Sequence, residues 1–541
     1  MDAAPTDAPD LAGMLSEMTV ADAQAAFARG VTAEALTRAF LARIETYNPR
    51  YNAVIFLNPH AVEEARAIDR RRAAGEALGP LAGVPVVIKD TMDVAGLPTT
   101  AGWHFLCAKA GGVDLMPATD APVVARMRAA GCVILGKTNV PVLSATGSHA
   151  NDSWAGPTLN AMAPDLLPGG SSAGTATAVA ASLAVLGLAE ETGGSIQNPA
   201  SAQGLVGIKP TFALVPNTGV VPLAGSTRDV VGPIARCVRD AALTLDALAG
   251  YTAADPKTVA GIGRRPKGGY AAKLSETALR GKRLGLYGPG WRDRALSAET
   301  IQLYARAQAE IAARGATLAA DPFAGSGFAE LGQPVAGLDH YDARGIESVL
   351  YDLHHYLQRL GPQAAYRTLA EFDAATKAED PLAPGGVLDW MNQVPAFAAC
   401  RADPLAPPDL SDFLAARERY LDIFTAVMAE QGLDALVFPQ TRDAVPALHG
   451  SETIHETTVC EINIAGLPGV VVPAGRYASG SPFCLIFVGP LWSEADLLGL
   501  AYDYEQATRH RAATEPGRRP SPRLKVTSYA FMISQISSKW V

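Results

Sequence analysis

The sequence predicts an α/β protein whose central sheet is largely parallel and buried on both faces. Three observations carry this. Short β-branched runs at 53–57, 84–88 and 133–135 alternate with helical stretches. Each run is apolar throughout rather than every second residue, as in strands covered from both sides. The chain is also long enough, at 541 residues with 48% hydrophobic content, to enclose a large core.

Residues 19 to 47 read as two helices. Thr19 and Asp22 resemble a capping pair, Gly30 stops the first helix, Thr32 caps the second and Asn48-Pro49 ends it. Strand-like runs follow at Ala53–Leu57 and Val84–Ile88. Asp120-Ala-Pro-Val starts a helix that Gly131 closes before the run Val133–Leu135. A Gly/Ser-dense stretch spans 169–219, broken by an Ala-rich helix predicted over 173–188. Gly232-Pro-Ile-Ala-Arg leads into an amphipathic helix ending at Gly250, and 251–280 is a polar connection. Alternation continues with a strand at Arg283–Tyr287, a helix near 298–314, and strands at Leu433–Phe438 and Gly469–Val472. Residues 361–410, rich in Pro and Gly, read as an insertion over the core, of the kind that forms lids, pocket walls or plain surface loops. The domain reading is an N-terminal helical arm over 1–75, a catalytic domain over 76–514 and a tail over 515–541.

Composition narrows the function. The 45 Lys+Arg against 54 Asp+Glu leave a charge of −9, which gives no electrostatic footprint for nucleic acid or anionic membrane. Six widely spaced cysteines without a C-x-x-C suggest neither a zinc site nor a disulfide framework, and a reduced compartment fits. The opening MDAAPTDAPD has no basic or apolar signal region, and the longest apolar stretch, 176–189, is too short for a membrane span. A cytoplasmic enzyme is expected, with no metal or cofactor.

Three features bear chemistry. Lys89, in PVVIKD, ends an apolar run; taken alone, such a lysine is usually a snorkelling end-of-strand residue. Pro168–Gly174 (PGGSSAG) sets two serines between glycines, a loop or an anion-cradling nest. Glu191-Thr-Gly-Gly-Ser195 lets backbone N–H groups turn toward one point, as an oxyanion site needs. Gly170–Gly174 also matches G-x-S-x-G with Ser172 at its centre, the nucleophile elbow of α/β-hydrolases. That motif needs a strand running into the serine, and 161–168 carries two prolines and no alternation. It also needs a downstream base, and His354, His355, His449 and His455 read as surface or core residues.

Taken together, LAGVPVVIKD (81–90), GKTNVP (136–141), GPTLN (156–160), PGGSSAG, ETGGSIQNPASAQGLVGIKPT (191–211), GPIARCVRDAALTLDALAG (232–250) and NIAGLPGVVVPAG (463–475) resemble the amidase signature family of serine hydrolases, over roughly residues 20–514. The resemblance implies a single large domain around a mixed, mostly parallel sheet with helices on both faces. It implies Ser195 as nucleophile, Ser171 as bridging serine after a cis peptide bond, and Lys89 as base. The backbone amides of Thr192, Gly193, Gly194 and Ser195 would form the oxyanion hole. Ser144, Ala145, Thr146, Gly147 and Gly170 would line the substrate, with Ser172 and Glu191 supporting from behind. Ala173 stands where the family motif has Gly, Glu191 where Asp is common, and Ala161-Met162 where a Pro-aromatic pair is usual.

A serine hydroxyl must hand on its proton as it attacks, and a lysine accepts it only when neutral. That asks for a pKa near about 7 rather than about 10.4, and the apolar run 84–88 is the setting expected to supply it. The function implied is hydrolysis of the C–N bond in small amides, aryl amides or carbamates through an acyl-enzyme, with esterase or urethanase side activity. Partners are a small-molecule substrate and at most a second copy of the chain. Competing readings are the amidase subunit of a tRNA-dependent amidotransferase, a silent binding protein on the same scaffold, and the Ser172 esterase. Walls are expected from 340–410 and 440–460, with Trp390 and Met391 as apolar contacts or as core.

Overall fold

In the computed structural model, which describes residues 11–338 and 341–514, eleven strands form one sheet. They are β1 (Val54–Leu57), β2 (Pro85–Lys89), β3 (Val133–Thr138), β4 (Leu186–Glu191), β5 (Val206–Lys209), β6 (Val230–Ala235), β7 (Arg283–Leu286), β8 (Thr317–Ala319), β9 (Ala435–Pro439), β10 (Gly469–Arg476) and β11 (Pro482–Val488). Their spatial order is β1-β3-β2-β4-β6-β5-β10-β11-β9-β7-β8. The tail expected after Thr514 lies outside the described residues.

One large α/β domain around a mixed sheet is what the sequence predicts, but the balance of strand directions differs. β2 runs parallel to β3 and β4, and β7 to β8 and β9. The other six neighbouring pairs are antiparallel, so the sheet is not mostly parallel. Apolar runs report burial on both faces and say nothing about direction. Burial on both faces is visible along β10 and β11. Val470, Val472, Leu485 and Phe487 join a core with the helices Val238–Leu248 and Glu494–Thr508, while Val471, Cys484 and Ile486 join a second core with Ser411–Glu430. Alternate side chains of a strand point to opposite faces, so β10 and β11 each supply both cores.

Thr19 closes a capping box with Asp22, and Thr32 caps Ala33–Tyr51 through the Ala35 N–H at 3.0 Å. That helix does not stop at Asn48-Pro49. Pro49 forgoes one backbone bond, and the turn comes three residues later, where Asn52 is left-handed at φ 50° and its N–H reaches Asn48 O. The Ala-rich helix is also shorter, Ala173–Ala180, because Ser182 turns left-handed (φ 55°) and the rest of the apolar run becomes β4. Continuous apolar runs do not separate buried helix from buried strand. Gly232–Ala235 likewise belongs to β6, and its helix begins at Val238. The N-terminal helices bury Val20, Phe27, Leu36 and Phe40 in the main core. Residues 361–410 contain the short helices Leu369–Thr376 and Phe397–Ala402, whose Phe372 and Phe397 pack toward Trp103, Val221 and Leu223. None of the six cysteines is joined in a disulfide.

Candidate active site

The parallel register of β2 and β4, with Ile88 beside Leu188, brings Lys89 and Glu190 to the same end of adjacent strands. Both are enclosed, at 0% and 2% side-chain exposure. Lys89 Nζ lies 2.7 Å from Ser171 Oγ, 3.1 Å from Glu190 O and 2.7 Å from Glu190 Oε2. An ammonium has three N–H donors, and these three oxygens are its acceptors. The amine is therefore dry, as the sequence predicts, but its surroundings are not simply apolar, because a carboxylate touches it. Glu190 carries no signal of its own in the sequence: in LGLAEE it looks like one of two strand-end acids, and only the β2–β4 register assigns it to Lys89.

Ser171 and Ser172 lie at the start of the helix Ala173–Ala180, after a cis Gly170–Ser171 peptide bond. Ser172 is fully buried, away from the cavity, and its hydroxyl bonds the Glu190 backbone, donating to O at 3.2 Å and accepting from N at 3.4 Å. No strand runs into it from 161–170, so the elbow geometry is missing.

Ser195 sits between β4 and the helix Gln197–Ala202. Among the described residues, the backbone N–H groups of Thr192, Gly193, Gly194 and Ser195 meet no hydrogen-bond acceptor. Glu191 braces this loop from below. Its carboxylate accepts from Ile196 N (2.9 Å), Gln197 N (3.2 Å), Gln197 Nε2 (2.5 Å) and Asn463 Nδ2 (2.9 Å). The two glycines leave no room for side chains: a Cβ on Gly193 would sit 2.5 Å from the Tyr341 ring, and one on Gly194, at φ 95°, 2.6 Å from Glu456 Oε1.

Ser171 and Ser195 line one cavity of about 190 Å³, together with Ser144, Ala145, Gly147, Gly170, Thr192 and Gly193. Thr146 does not line it; the chain turns there through left-handed Leu143 and Ser144, and Thr146 lies beside Asp152. Met391 does not reach it either, being buried with Leu388, Val394 and Phe397, whereas Trp390 does. Tyr341 stands edge-on to Trp390 at 5.4 Å, with the Arg228 guanidinium 5.2 Å from the Tyr341 ring centroid. Glu456 is a further wall residue without a sequence signal, and burial pushes its carboxyl up to about 8. Arg292 bonds its backbone carbonyl at 2.9 Å while gripping Glu461 with two nitrogens. A second cavity, about 490 Å³, shares Leu223 with the first and is walled by Leu106, Leu143, Val221, Leu353 and Phe372, with exposed Lys377 and Arg401 at its edge.

The described residues hold no cluster of three or more His, Cys, Asp or Glu suited to a metal ion, and none of their helices is long and apolar enough to cross a membrane.

Residues 35–498 match the family model Amidase. A glutamyl-tRNA(Gln) amidotransferase subunit of Cereibacter sphaeroides is 34% identical over 521 residues, 91% of this chain and 97% of that one. Its counterpart in Acidothermus cellulolyticus is 43% identical over a shorter 274 residues, 49% of this chain and 52% of that one. The native peptide amidase of Stenotrophomonas maltophilia superposes with a TM-score of 0.73 at 32% identity, covering 93% of this chain and 99% of that one. The chain belongs to the amidase signature family.

Proposed function

We propose that the protein hydrolyses the C–N bond of small amides, with Ser195 as nucleophile, Ser171 as proton relay and Lys89 as base. One observation carries the reading: an amine enclosed from solvent lies 2.7 Å from a serine that shares a cavity with a second serine, and the loop ending in that second serine carries four unengaged backbone amides. As Ser195 Oγ attacks the carbonyl, its proton passes to Ser171, whose own proton passes to Lys89. The carbonyl oxygen gains charge and turns to the amides of 192–195, a stabilisation in which one donor is worth about 3–4 kcal/mol. Ser171 then returns a proton to the departing nitrogen, which an amide requires because an amide anion leaves poorly. Water reverses the relay to release the acid from Ser195. Carbamates and esters present the same carbonyl and are side substrates on this reading.

The aromatic and aliphatic walls favour substrates with an apolar or aryl group. The cavity sharing Leu223 supplies room for a chain extending from the carbonyl. Ser195→Ala tests the reading: it abolishes turnover of p-nitroacetanilide and covalent labelling by a fluorophosphonate, and retained labelling defeats the assignment.

A second reading, as the amidase component of a tRNA-dependent amidotransferase, is favoured by the long alignment to the Cereibacter sphaeroides protein. The two are separated by assaying the purified chain alone. Turnover of simple amides without partner proteins supports the stand-alone hydrolase, and activity only with co-purifying partners supports the second reading.

A further inference from the structure

Glu190 does more than fill space behind Lys89. Its two carboxylate oxygens face two ways: Oε2 takes the Lys89 amine at 2.7 Å and Oε1 accepts from Thr192 Oγ1 at 3.1 Å. Thr192 Oγ1 also lies 2.5 Å from Asp229 Oδ1, and the Asp229 carboxylate accepts from the N–H groups of Leu223 and Ala224 at 3.0 Å. A hydroxyl has one hydrogen, so it donates to only one of the two carboxyls; bridging the other takes a proton on a carboxyl. The amine, two acids and a hydroxyl thus form one buried, proton-sharing row that runs from the proposed base into the loop carrying the four backbone amides.

We infer that Glu190 is a positioning residue that sets the pH range in which Lys89 serves as base, by holding a proton on its amine. As ammonium, Lys89 satisfies Ser171, Glu190 O and Glu190 Oε2 together. As free amine it keeps two N–H bonds, to the Glu190 oxygens, and turns its lone pair to the Ser171 hydroxyl. The first state is favoured by the carboxylate and must be left before Ser171 can hand over its proton. An opposite charge within about 4–6 Å favours the charged form by roughly 1–3 pH units. The charged groups facing the pair are few. Asp229 approaches through Thr192, and Arg228 donates to Thr192 O at 3.2 Å. The buried Lys137–Asp90 pair, 2.8 Å apart, lies on the neighbouring strand and just past β2. Glu191 faces the other way, onto Ile196, Gln197 and Asn463. In support, burial and then the Glu190 charge raise Asp229 to about 7.

The inference rests on the proposed roles of Lys89, Ser171 and Ser195, and the test separates the two. The rate of covalent labelling by a fluorophosphonate is followed against pH for the full-length wild type and Glu190→Gln. The amide still accepts from the amine but carries no charge, so the acid limb of the profile moves to lower pH by at least about one unit. A limb that stays where the wild type has it overturns the inference. Asp229→Asn, one hydroxyl further away, gives a smaller shift in the same direction; should Glu190→Gln fail to fold, the absence of that shift overturns it instead. Ser195→Ala and Lys89→Ala are measured alongside. If Ser195→Ala still labels, the proposed roles fail; if both are silent and the Glu190→Gln limb is unmoved, only the role of Glu190 falls.

Discussion

Replacing Glu191 by glutamine isolates what holds the amide-bearing loop in place. Oε1 accepts from Gln197 Nε2 and Asn463 Nδ2, and Oε2 from Ile196 N and Gln197 N. Glutamine keeps the shape but has one oxygen and one NH2, so in either orientation two donors face another donor. A hydrogen bond to a charged group is worth about 1.5–3 kcal/mol, and two of them give about 3–6 kcal/mol. If the NH2 end faces the side chains of Gln197 and Asn463, those can swing away and relieve part of the loss, which puts the expected destabilisation near about 3 kcal/mol. That is a large fraction of a stability of about 5–15 kcal/mol. Activity falls as well, because Thr192–Ser195 is anchored through Ile196 and Gln197; misplacing one amide donor costs about 10²–10³ in kcat. Urea unfolding followed by tryptophan fluorescence reads the first effect, and p-nitroacetanilide hydrolysis the second. Glu191→Asp retains the charge and falls between. A Glu191→Gln protein within about 0.5 kcal/mol of wild type and with full kcat would refute the bracing role.

Lys89→Ala removes the proposed base and leaves Glu190 as a buried carboxylate without its lysine partner, so hydrolysis drops by about 10²–10⁴ and the fold loses about 3–5 kcal/mol, read by initial rates and by denaturant midpoint. Gly193→Ala sets a methyl 2.5 Å from the Tyr341 ring and lowers kcat/KM, and Tyr341→Ala in the same chain restores part of it, as a double-mutant cycle measures. Across anilides of increasing acyl length, kcat/KM rises about fourfold per methylene while the cavity beyond Leu223 fills, at about 0.8 kcal/mol per CH2; Leu223→Trp flattens that series. Stability falls as pH rises from about 4.5 to 8. Burial raises Asp93 and Asp240 to about 6, Asp229 and Glu505 to about 7 and Glu456 to about 8. Over this window the folded chain binds more protons than the unfolded one, which gives a negative slope. A melting temperature higher at pH 8 than at pH 6 would contradict it.

The proposed set of Lys89, Ser171 and Ser195 is legible in the chain because each member sits in a dense local motif. PVVIKD, PGGSSAG and ETGGS keep their serines, glycines and lysine within a few positions of one another. The capping box at Thr19 is legible for the same reason, since its two halves are three residues apart. What the sequence hides depends on pairings between distant segments. Glu190 gains meaning only from the β2–β4 register, Asp229 only through Thr192, and Glu456 only because its loop is folded over Gly194. Strand direction departs from the expectation because apolar runs encode burial on two faces and carry no trace of orientation. The helix expected over 173–188 ends early because an Ala-Leu-Val run suits a buried helix and a buried strand alike, and a single left-handed residue, Ser182, decides where one becomes the other.

The most direct test of the proposed mechanism is where an acyl group rests during turnover. A slowly deacylating p-nitrophenyl carbamate, mixed with the enzyme and quenched early, is followed by intact mass and peptide mapping. A single carbamoyl adduct is predicted on the peptide containing Ser195, absent in Ser195→Ala and formed far more slowly in Lys89→Ala. An adduct on Ser172, or undiminished formation without Lys89, would contradict it.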